Sequence, residues 1–419
     1  MSQFSFRSEL LRTLQERDFI YQVTDGEALD AFCLKGKITG YIGFDATANS
    51  LQVGNLSAIM LLRWMQKLGH TPIVLLGGGT SRVGDPSFRQ TSRPLASLDQ
   101  IRENIQGIAR IFSCLLNFEK IANRALLLNN EDWLVPLRYV DFLRDYGCHF
   151  TVNRMLSFES VKTRLDREEP LSFLEFNYML MQAYDFYYLH ENYACSLQMG
   201  GSDQWGNIVN GVELTRKLTR VPVFGLTAPL VTNAAGQKMG KTAEGAVWLN
   251  GNMLLPYDYW QFWRNTDDRD VGRYLKKFTD LPLDDIQRLA QLSGNEINEA
   301  KKILADEATA MVHGRDVLEG IHAAAGSVFL KEERDDSALP SLALPVARLP
   351  MSLADLFVLA NLCESKGEFK RLVAGKGASF QNEIIENPKQ TIAQKDFSNG
   401  YVFLSLGKKR HVKVVLTKS

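Results

Sequence analysis

Short, wholly apolar segments that alternate with helical patterns through the first half of the chain constrain the fold most strongly. Residues 72–76 (PIVLL) form such a segment, and three glycines follow it at 77–79. Residues 125–128 and 195–199 have a similar character, and 38–44 is a further strand candidate. A strand that is apolar on both faces needs helices to cover both faces. The pattern therefore predicts an α/β fold with a parallel sheet between two helical layers.

Helices are predicted before and between these strands. One runs from about residue 56 to 68, and another begins at Ser97, with Gln100 as its partner in a capping box. Residues 1–20 mix acidic and basic side chains with leucines, a composition that predicts a surface helix and differs from an export signal.

The second half of the chain has a different organisation, and a chain of 419 residues is long enough for several domains. Short helical patterns without a strand signal continue to residue 330. Residues 331–351 contain a charge run and then a proline at every fifth position, which predicts an irregular linker. We therefore predict a catalytic domain at 1–247, a small helical domain at 248–330, a linker at 331–351 and an α+β module at 352–419.

Charge is balanced over the whole chain but not within the last module. The chain has 48 Lys and Arg and 48 Asp and Glu. Residues 352–419 have 11 basic and 6 acidic residues, a local charge of 11 − 6 = +5, with a cluster at Lys408, Lys409 and Arg410. A basic module of this kind suits a phosphate backbone, although a solvated basic surface is an alternative.

Cysteine spacing and hydropathy indicate the compartment. The five cysteines include no Cys-x-x-Cys pair, which favours reduced thiols over a disulfide framework or a zinc site. No apolar run approaches the length needed to span a membrane. We expect a cytoplasmic protein with no membrane contact and no dedicated metal-ligand cluster.

Two glycine-containing motifs have the chemistry of a nucleotide site. Gly54 opens the helix after the first strand, where a ligand could approach the backbone closely, with Gln52 and Asn55 as neutral donors beside it. Lys238 and Lys241 stand three residues apart and form a compact cation for a polyphosphate. Each motif has an ordinary interpretation when taken alone, the first as a turn and the second as a solvated basic loop.

A polar set on one helix suggests a small-molecule pocket. Tyr178, Gln182 and Asp185 follow the spacing i, i+4 and i+7, so they share one face of a helix that we expect to begin at Ser172, with Glu175 as its capping partner. The alternative is the exposed face of an amphipathic helix. The aromatic residues around the set leave no clear solvent-facing side.

Together the two motifs resemble the signatures of class I aminoacyl-tRNA synthetases. Residues 52–55 (QVGN) resemble His-x-Gly-His, and residues 238–242 (KMGKT) resemble Lys-Met-Ser-Lys-Ser. Position 52 and position 238 are 186 residues apart, which suits the tyrosyl and tryptophanyl members. The phrases at 41–47, 84–87, 198–207 and 225–230 resemble bacterial tyrosyl-tRNA synthetases, in order and over nearly the whole chain.

The resemblance implies a Rossmann-type catalytic domain with a connective insertion, and it implies a role for each matching residue. The tyrosine phenol would lie between Tyr41 and Asp185, and the residues near its ammonium would be Asp85, Tyr178, Gln182 and Gln204. The adenosine of ATP would contact Gly43, Asp45, Gly54, Gly201 and Asp203. The triphosphate would contact Thr47, Gln52, Lys238, Lys241 and Thr242, with Arg89 and Arg93 as mobile cations. Asn55, the last signature residue, would be a catalytic residue at the same helix start.

The resemblance also implies the reaction and the partners. Tyrosine would attack ATP, accompanied by Mg²⁺, and the tyrosyl group would pass to the 3′ end of tRNA(Tyr). A homodimer and an αL-type RNA-binding domain at 352–419 are implied as well. Gln52 and Asn55 depart from the family, because each replaces a histidine of the signature. Three alternatives remain open: a tryptophanyl synthetase, another nucleotidyl transferase, and a degenerate synthetase retained as an RNA-binding protein.

Overall fold

The computed structural model describes residues 5–85, 96–242, 245–327, 339–381, 383–397, 400–407 and 410–417. The chain forms two compact units. The first comprises Met1–Leu254 and Arg264–Val312, and the second comprises Leu255–Trp263 and His313–Ser419.

A six-stranded sheet organises the first unit. Its strands, in spatial order, are β1 (Gln22–Val23), β6 (Phe224–Ala228), β5 (Cys195–Gly201), β2 (Thr39–Asp45), β3 (Thr71–Gly77) and β4 (Leu126–Asn129). Every neighbouring pair is parallel except β1 with β6, which is antiparallel. A two-stranded ribbon, β7 (Lys241–Thr242) and β8 (Gly245–Ala246), lies outside this sheet. The predicted α/β fold with a parallel sheet is confirmed, and the antiparallel edge strand is an addition to it.

The helices of the first unit are named in chain order. They are α1 (Glu9–Glu16), α2 (Gly26–Leu34), α3 (Leu56–Lys67), α4 (Leu98–Leu115), α5 (Glu131–Leu134), α6 (Tyr139–Asp145), α7 (Val152–Ser157), α8 (Glu159–Asp166), α9 (Phe173–Phe176), α10 (Tyr178–Tyr193), α11 (Trp205–Thr219), α13 (Val271–Phe278), α14 (Leu283–Ala290) and α15 (Ile297–His313). Helix α12 (Pro256–Arg264) precedes α13 in the chain and belongs, up to Trp263, to the second unit.

Two helix starts differ in detail from their predictions. Ser97 accepts a hydrogen bond from the backbone N–H of Gln100, but the Gln100 side chain donates to Asn104 and Glu103 instead of completing a capping box. The capping box of Ser172 and Glu175 is present. It begins only the short α9, and a new helix, α10, starts after Asn177.

The predicted helical domain at 248–330 does not form a separate compact unit, because its helices divide between the two units. The described residues between 256 and 327 contain helices and no strand, as predicted. The guanidinium of Arg17 donates to the backbone carbonyls of Lys276, Thr279 and Leu281, and Arg63 pairs with Asp280. These bonds join α13 and the segment that follows it to α1 and α3, which explains why they belong to the first unit.

The second unit contains a five-stranded sheet with its own apolar core. The strand order is β12 (Glu383–Ile384), β11 (Ala378–Phe380), β14 (Tyr401–Leu406), β15 (Arg410–Thr417) and β9 (Ser341–Pro345). A second pair, β10 (Met351–Ser352) with β13 (Thr391–Ile392), and the helices α16 (Val317–Ser327), α17 (Leu353–Leu359) and α18 (Lys366–Ala374) complete the regular elements.

The prediction of an irregular linker over 331–351 is wrong for Ser341–Pro345. This segment is the edge strand β9, parallel to β15, and Leu344 is fully buried in the core of the sheet. An edge strand needs backbone hydrogen bonds on one side only, so it tolerates proline at its ends. Pro345 is the last residue of β9, and the carbonyl of Pro340 still accepts from Lys413 N at 2.8 Å.

Candidate active site

A cavity of about 830 Å³ opens at the carboxyl edge of the parallel sheet. Strands β2, β3 and β5 end there, and a ligand is expected at such an edge because the loops after parallel strands converge on it. Fourteen of the predicted site residues line the cavity: Tyr41, Gly43, Asp45, Thr47, Gln52, Gly54, Asn55, Asp85, Tyr178, Gln182, Asp185, Gly201, Asp203 and Gln204.

Asp185 is the most deeply placed carboxylate of the cavity, with 2% of its surface exposed. Burial raises the pKa of Asp185 to about 7 from its ordinary value of 3.8. Two hydrogen bonds to its oxygens oppose that rise in pKa, one from Asn130 Nδ2 at 2.9 Å and one from Trp133 Nε1 at 2.7 Å. Because each donor binds a different oxygen, the two bonds hold the carboxylate in one orientation.

Tyr41 lines the cavity and has a buried hydroxyl. Its side chain is 1% exposed, and its oxygen has no hydrogen-bond partner within the described residues. Burial, together with the negative charge of Asp185, raises the pKa of Tyr41 well above 10, so the hydroxyl keeps its proton. A buried hydroxyl without a partner is costly, and a ligand with a hydroxyl group would remove that cost.

A chain of hydrogen bonds connects Asp185 with Asp45 and Tyr178. Asn130 Nδ2 also donates to Thr80 Oγ1 at 3.1 Å, and Thr80 Oγ1 donates to Asp45 Oδ1 at 2.8 Å. The hydroxyl of Tyr178 donates to the other oxygen of Asp45 at 3.0 Å. Asp45, which the resemblance assigns to adenosine, thus also hydrogen-bonds to Tyr178, one of the residues predicted for tyrosine.

Carboxylates make this part of the cavity electronegative. Burial raises the pKa of Tyr178, and Asp45, Asp85 and Asp185 raise it further. Gln204 Nε2 donates to Asp85 Oδ2 at 2.8 Å, which fixes a second carboxylate near the cavity wall. A ligand cation would satisfy these charges, because a buried carboxylate is stabilised by a positive partner.

Asn130, Trp133 and Thr80 hydrogen-bond to the carboxylates of the site and were not predicted from the sequence. Asn130 directly follows β4, and Thr80 follows the glycines after β3, so both stand at carboxyl ends of predicted strands. That position was a usable signal. Trp133 offered no such signal, because its role depends on the fold of the short helix α5 against α10.

The two motifs that are distant in sequence meet in the structure. Val53 N donates to the carbonyl of Val247 at 2.8 Å, and Leu249 N donates to that of Leu51 at 2.9 Å. A Cβ on Gly54 would lie 2.8 Å from the carbonyl oxygen of Met239. The glycine therefore lets the backbone of the lysine-containing loop pass directly over the helix start.

The residues predicted to bind the triphosphate form what we call the phosphate end of the site, and not all of them line the cavity. Asn55 Oδ1 accepts from Gln52 N at 3.0 Å and so stabilises its own helix start. Lys238 does not line the cavity, but it lies near Asp203. Burial and the negative charge of Asp85 raise the pKa of Asp203, and the positive charge of Lys238 opposes that rise. The backbones of Lys241 and Thr242 form β7, and their side chains lie outside the described residues, as do Arg89 and Arg93.

Neither a metal site nor a membrane-spanning helix is found in the described ranges. No group of three or more His, Cys, Asp or Glu side chains in those ranges is arranged to hold a metal ion. No helix there combines the length and the apolar character that a membrane crossing needs.

The start of α3 contacts a Lys-Met-Gly-Lys loop, and a substrate-sized cavity lies at the end of the parallel sheet, which is the arrangement that the class I aminoacyl-tRNA synthetase signatures imply. The family model described as tRNA synthetases class I (W and Y) matches residues 34–329. The chain belongs to this family, within its bacterial-type tyrosyl members, as the following relatives indicate.

Curated relatives match nearly the full chain. The tyrosine–tRNA ligase of Cereibacter sphaeroides (strain KD131) is 53% identical over 413 residues, which are 98% of this chain and 99% of the relative. The tyrosine–tRNA ligase of Ruegeria pomeroyi is 53% identical over 411 residues, again 98% of this chain and 99% of the relative.

Solved structures share the fold. A C-terminally truncated mitochondrial tyrosyl-tRNA synthetase of Aspergillus nidulans superposes with a TM-score of 0.69 at 30% identity, over 75% of this chain and 92% of that one. Tyrosyl-tRNA synthetase of Archaeoglobus fulgidus, complexed with L-tyrosine, has a TM-score of 0.54 at 18% identity, over 73% and 100% respectively. The second likeness concerns the fold alone.

Proposed function

We propose that the protein is a tyrosine–tRNA ligase, which activates tyrosine with ATP and transfers the tyrosyl group to the 3′ end of tRNA(Tyr). The observation that carries the choice of amino acid is the unpartnered, buried hydroxyl of Tyr41 beside Asp185. A phenol can hydrogen-bond to both groups. Phenylalanine would leave both without that partner, and leaving buried polar groups unsatisfied costs more than a single hydrogen bond gains.

The ammonium of tyrosine would be held where the carboxylates converge. Asp85, Tyr178 and Gln182 line that part of the cavity, and Gln204 orients Asp85. The hydroxyl of Tyr178 donates to Asp45 at 3.0 Å, which fixes the position of the Tyr178 ring. This arrangement would leave the tyrosine carboxylate directed toward the phosphate end, where it attacks the α-phosphorus of ATP and displaces pyrophosphate.

The phosphate end would act by positioning and by charge. ATP would enter with Mg²⁺, its phosphates against Thr47, Gln52 and Asn55, and its adenosine near Gly43, Asp45, Gly54, Gly201 and Asp203. Lys238, Lys241, Thr242, Arg89 and Arg93 would supply the donors and positive charge for the departing pyrophosphate. No nucleophile or base from the protein is required, because the substrate carboxylate is the nucleophile.

The module at 352–419 would bind tRNA through its +5 charge. Strand β15 carries basic residues; Lys413 lies 4.1 Å from the centre of the Tyr401 ring, and Arg410 donates to the carbonyl of Asn361 at 2.7 Å. Binding of basic residues to RNA phosphates releases the counterions of the RNA, so the affinity should fall as the salt concentration rises. The protein would act in the cytoplasm, where its substrates are made.

A homodimer is part of the proposal. Large apolar side chains are exposed along residues 135–174, among them Val140 at 74%, Phe173 at 69% and Val152 at 61%. A monomer seldom exposes so many of them, so a second copy of the chain would cover this segment. Sedimentation of the wild type should give the mass of two chains, and Val140→Glu should shift the equilibrium toward one chain. A wild type that sediments as one chain at all concentrations would contradict the dimer.

Amino-acid-dependent exchange of pyrophosphate into ATP tests the function. Tyrosine should support exchange, whereas phenylalanine and tryptophan should not. Exchange that is equally fast with tryptophan would favour a tryptophanyl enzyme. No exchange with any amino acid, together with retained RNA binding, would favour a degenerate synthetase.

A further inference from the structure

The loop between β2 and the start of α3, residues 46–51, bears Thr47 and leads directly into Gln52. We propose that Asn104, Gly107 and Asn250 are positioning residues that clamp this loop for ATP. The inference rests on the proposed function, because the loop matters to catalysis only if its residues contact the nucleotide. None of the three clamp residues lines the cavity.

Two asparagine side chains bind the backbone of the loop at separate points. Asn104, on α4 and 3% exposed, donates from Nδ2 to the carbonyl of Ala46 at 2.9 Å. Asn250 donates from Nδ2 to the carbonyl of Asn49 at 2.8 Å, and its backbone N–H donates to Ser50 Oγ at 3.0 Å. A loop without regular structure has few hydrogen bonds of its own, so these bonds hold the carbonyl groups of Ala46 and Asn49 in place.

Asn250 also connects the loop to α4. The same Nδ2 group lies 3.2 Å from the carbonyl of Gly107, so one amide bridges the loop and the helix. Asn104 and Gly107 are three residues apart and therefore on one face of α4. Helix α4 thus holds the loop at Ala46 directly and at Asn49 through Asn250, and Thr47 lies between these two points.

Gly107 determines how closely the loop can approach. It is a buried residue in the middle of α4, where glycine is a poor helix former compared with alanine. A Cβ at this position would lie 2.7 Å from Asn49 Cγ, and both oxygens of Asn49 would be nearer still. One of these oxygens belongs to the backbone and cannot rotate away, so alanine would displace the loop by about 1 Å to restore ordinary contact distances.

Displacement of this loop should weaken ATP binding and catalysis and leave tyrosine binding nearly unchanged. Tyr41, Tyr178 and Asp185 lie on β2 and α10, outside residues 46–51, and Asp45, which precedes the loop and accepts from Tyr178, is held in β2. A misplacement of about 1 Å by a residue remote from the chemistry can cost roughly 100-fold in rate. A role in stability alone would instead lower the melting temperature and leave the kinetic constants of the folded enzyme unchanged.

The experiment compares Gly107→Ala with Gly367→Ala in the full-length protein. Gly367 lies in α18, where an added Cβ would meet nothing closer than Ser365 Oγ at 3.7 Å, so it is a matched control for the same change in a helix. Pyrophosphate exchange is measured over ATP and tyrosine concentrations, and tyrosine and ATP binding are measured by calorimetry. For Gly107→Ala we expect a fall of roughly 10- to 100-fold in kcat/KM for ATP, tyrosine affinity within about twofold of wild type, and no change in the control.

Two results would overturn the clamp: ATP constants equal to wild type, or losses of ATP and tyrosine affinity in equal proportion. If Gly107→Ala does not fold, Asn250→Ala decides the question. It removes one amide from a half-buried side chain and should lower kcat/KM for ATP alone by about 2- to 13-fold, whereas no loss would overturn the proposal. Absence of exchange in the wild type would refute the proposed function instead, and ATP affinity of the variants would still test the clamp.

Discussion

Replacing Asp185 with asparagine should change how the stability of the ligand-free protein depends on pH. The unfolded carboxyl titrates near 3.8, whereas burial raises the pKa of the folded group to about 7. Between these values the folded state binds more protons than the unfolded state, so stability falls as pH rises through this window. A difference of about three pKa units corresponds to about 4 kcal/mol of stability that is present below pH 3.8 and lost above pH 7.

The variant lacks this titration but has a fixed cost of its own. Asn130 and Trp133 both donate to Asp185, and an asparagine side chain offers an acceptor to only one of them. The other donor would face an NH₂ group, which costs about 1–3 kcal/mol at every pH. Asp185→Asn should therefore be less stable than the wild type near pH 4.5 and should equal or exceed it near pH 8.

Thermal unfolding of both proteins without ligands, from pH 4.5 to 8, measures this effect. A change of 1 kcal/mol shifts Tm by about 2–4 °C in a domain of about 200 residues, so the difference in Tm should change by several degrees over the range. Asp99→Asn is the control, because that side chain is 94% exposed and should follow the wild type. If the Tm of Asp185→Asn plotted against pH stays parallel to that of the wild type, the raised pKa of a buried Asp185 is refuted.

Three further predictions concern the two ends of the cavity and the last module. Tyr41→Phe should raise the Tm of the ligand-free protein, because it removes an unsatisfied buried hydroxyl, and should weaken tyrosine binding about 2- to 13-fold; calorimetry measures both, and unchanged affinity would contradict it. Gln52→Ala should slow adenylate formation about 2- to 13-fold in pre-steady-state kinetics, while a loss confined to ATP affinity would exclude a role in the transition state. A chain ending at residue 338 should retain exchange but charge tRNA poorly, and unchanged aminoacylation would show that the module is dispensable.

The elements that could be predicted from sequence are those whose signal is local. The apolar runs that became β3 and β5 are buried on both faces, so their composition alone indicated their place in a parallel sheet. The helix signal after Ser172 was also correct, but the break at Asn177 was not visible. Helix α10 begins there with Tyr178, whose hydroxyl donates to Asp45.

The elements that could not be predicted depend on partners distant in sequence. Strand β9 was missed because its prolines argue against regular structure unless the strand lies at an edge, and an edge position follows only from the pairing with β15. Gly107 resembles any helix glycine until Asn49 is seen against it. The candidate site was predicted best where motif and strand end coincide, and least well for residues such as Trp133 that support another side chain.

The contact between Gly54 and the carbonyl of Met239 has a consequence for the evolution of this chain. Glycine at position 54 is required by the packing of two backbone segments that are far apart in sequence, whatever nucleotide lies beside them. A substitution at 54 would have to be accompanied by a rearrangement around Met239 and Gly240, so the two sites should accept mutations jointly and not singly. A descendant of this protein that no longer used ATP would keep Gly54 for as long as the loop remained docked.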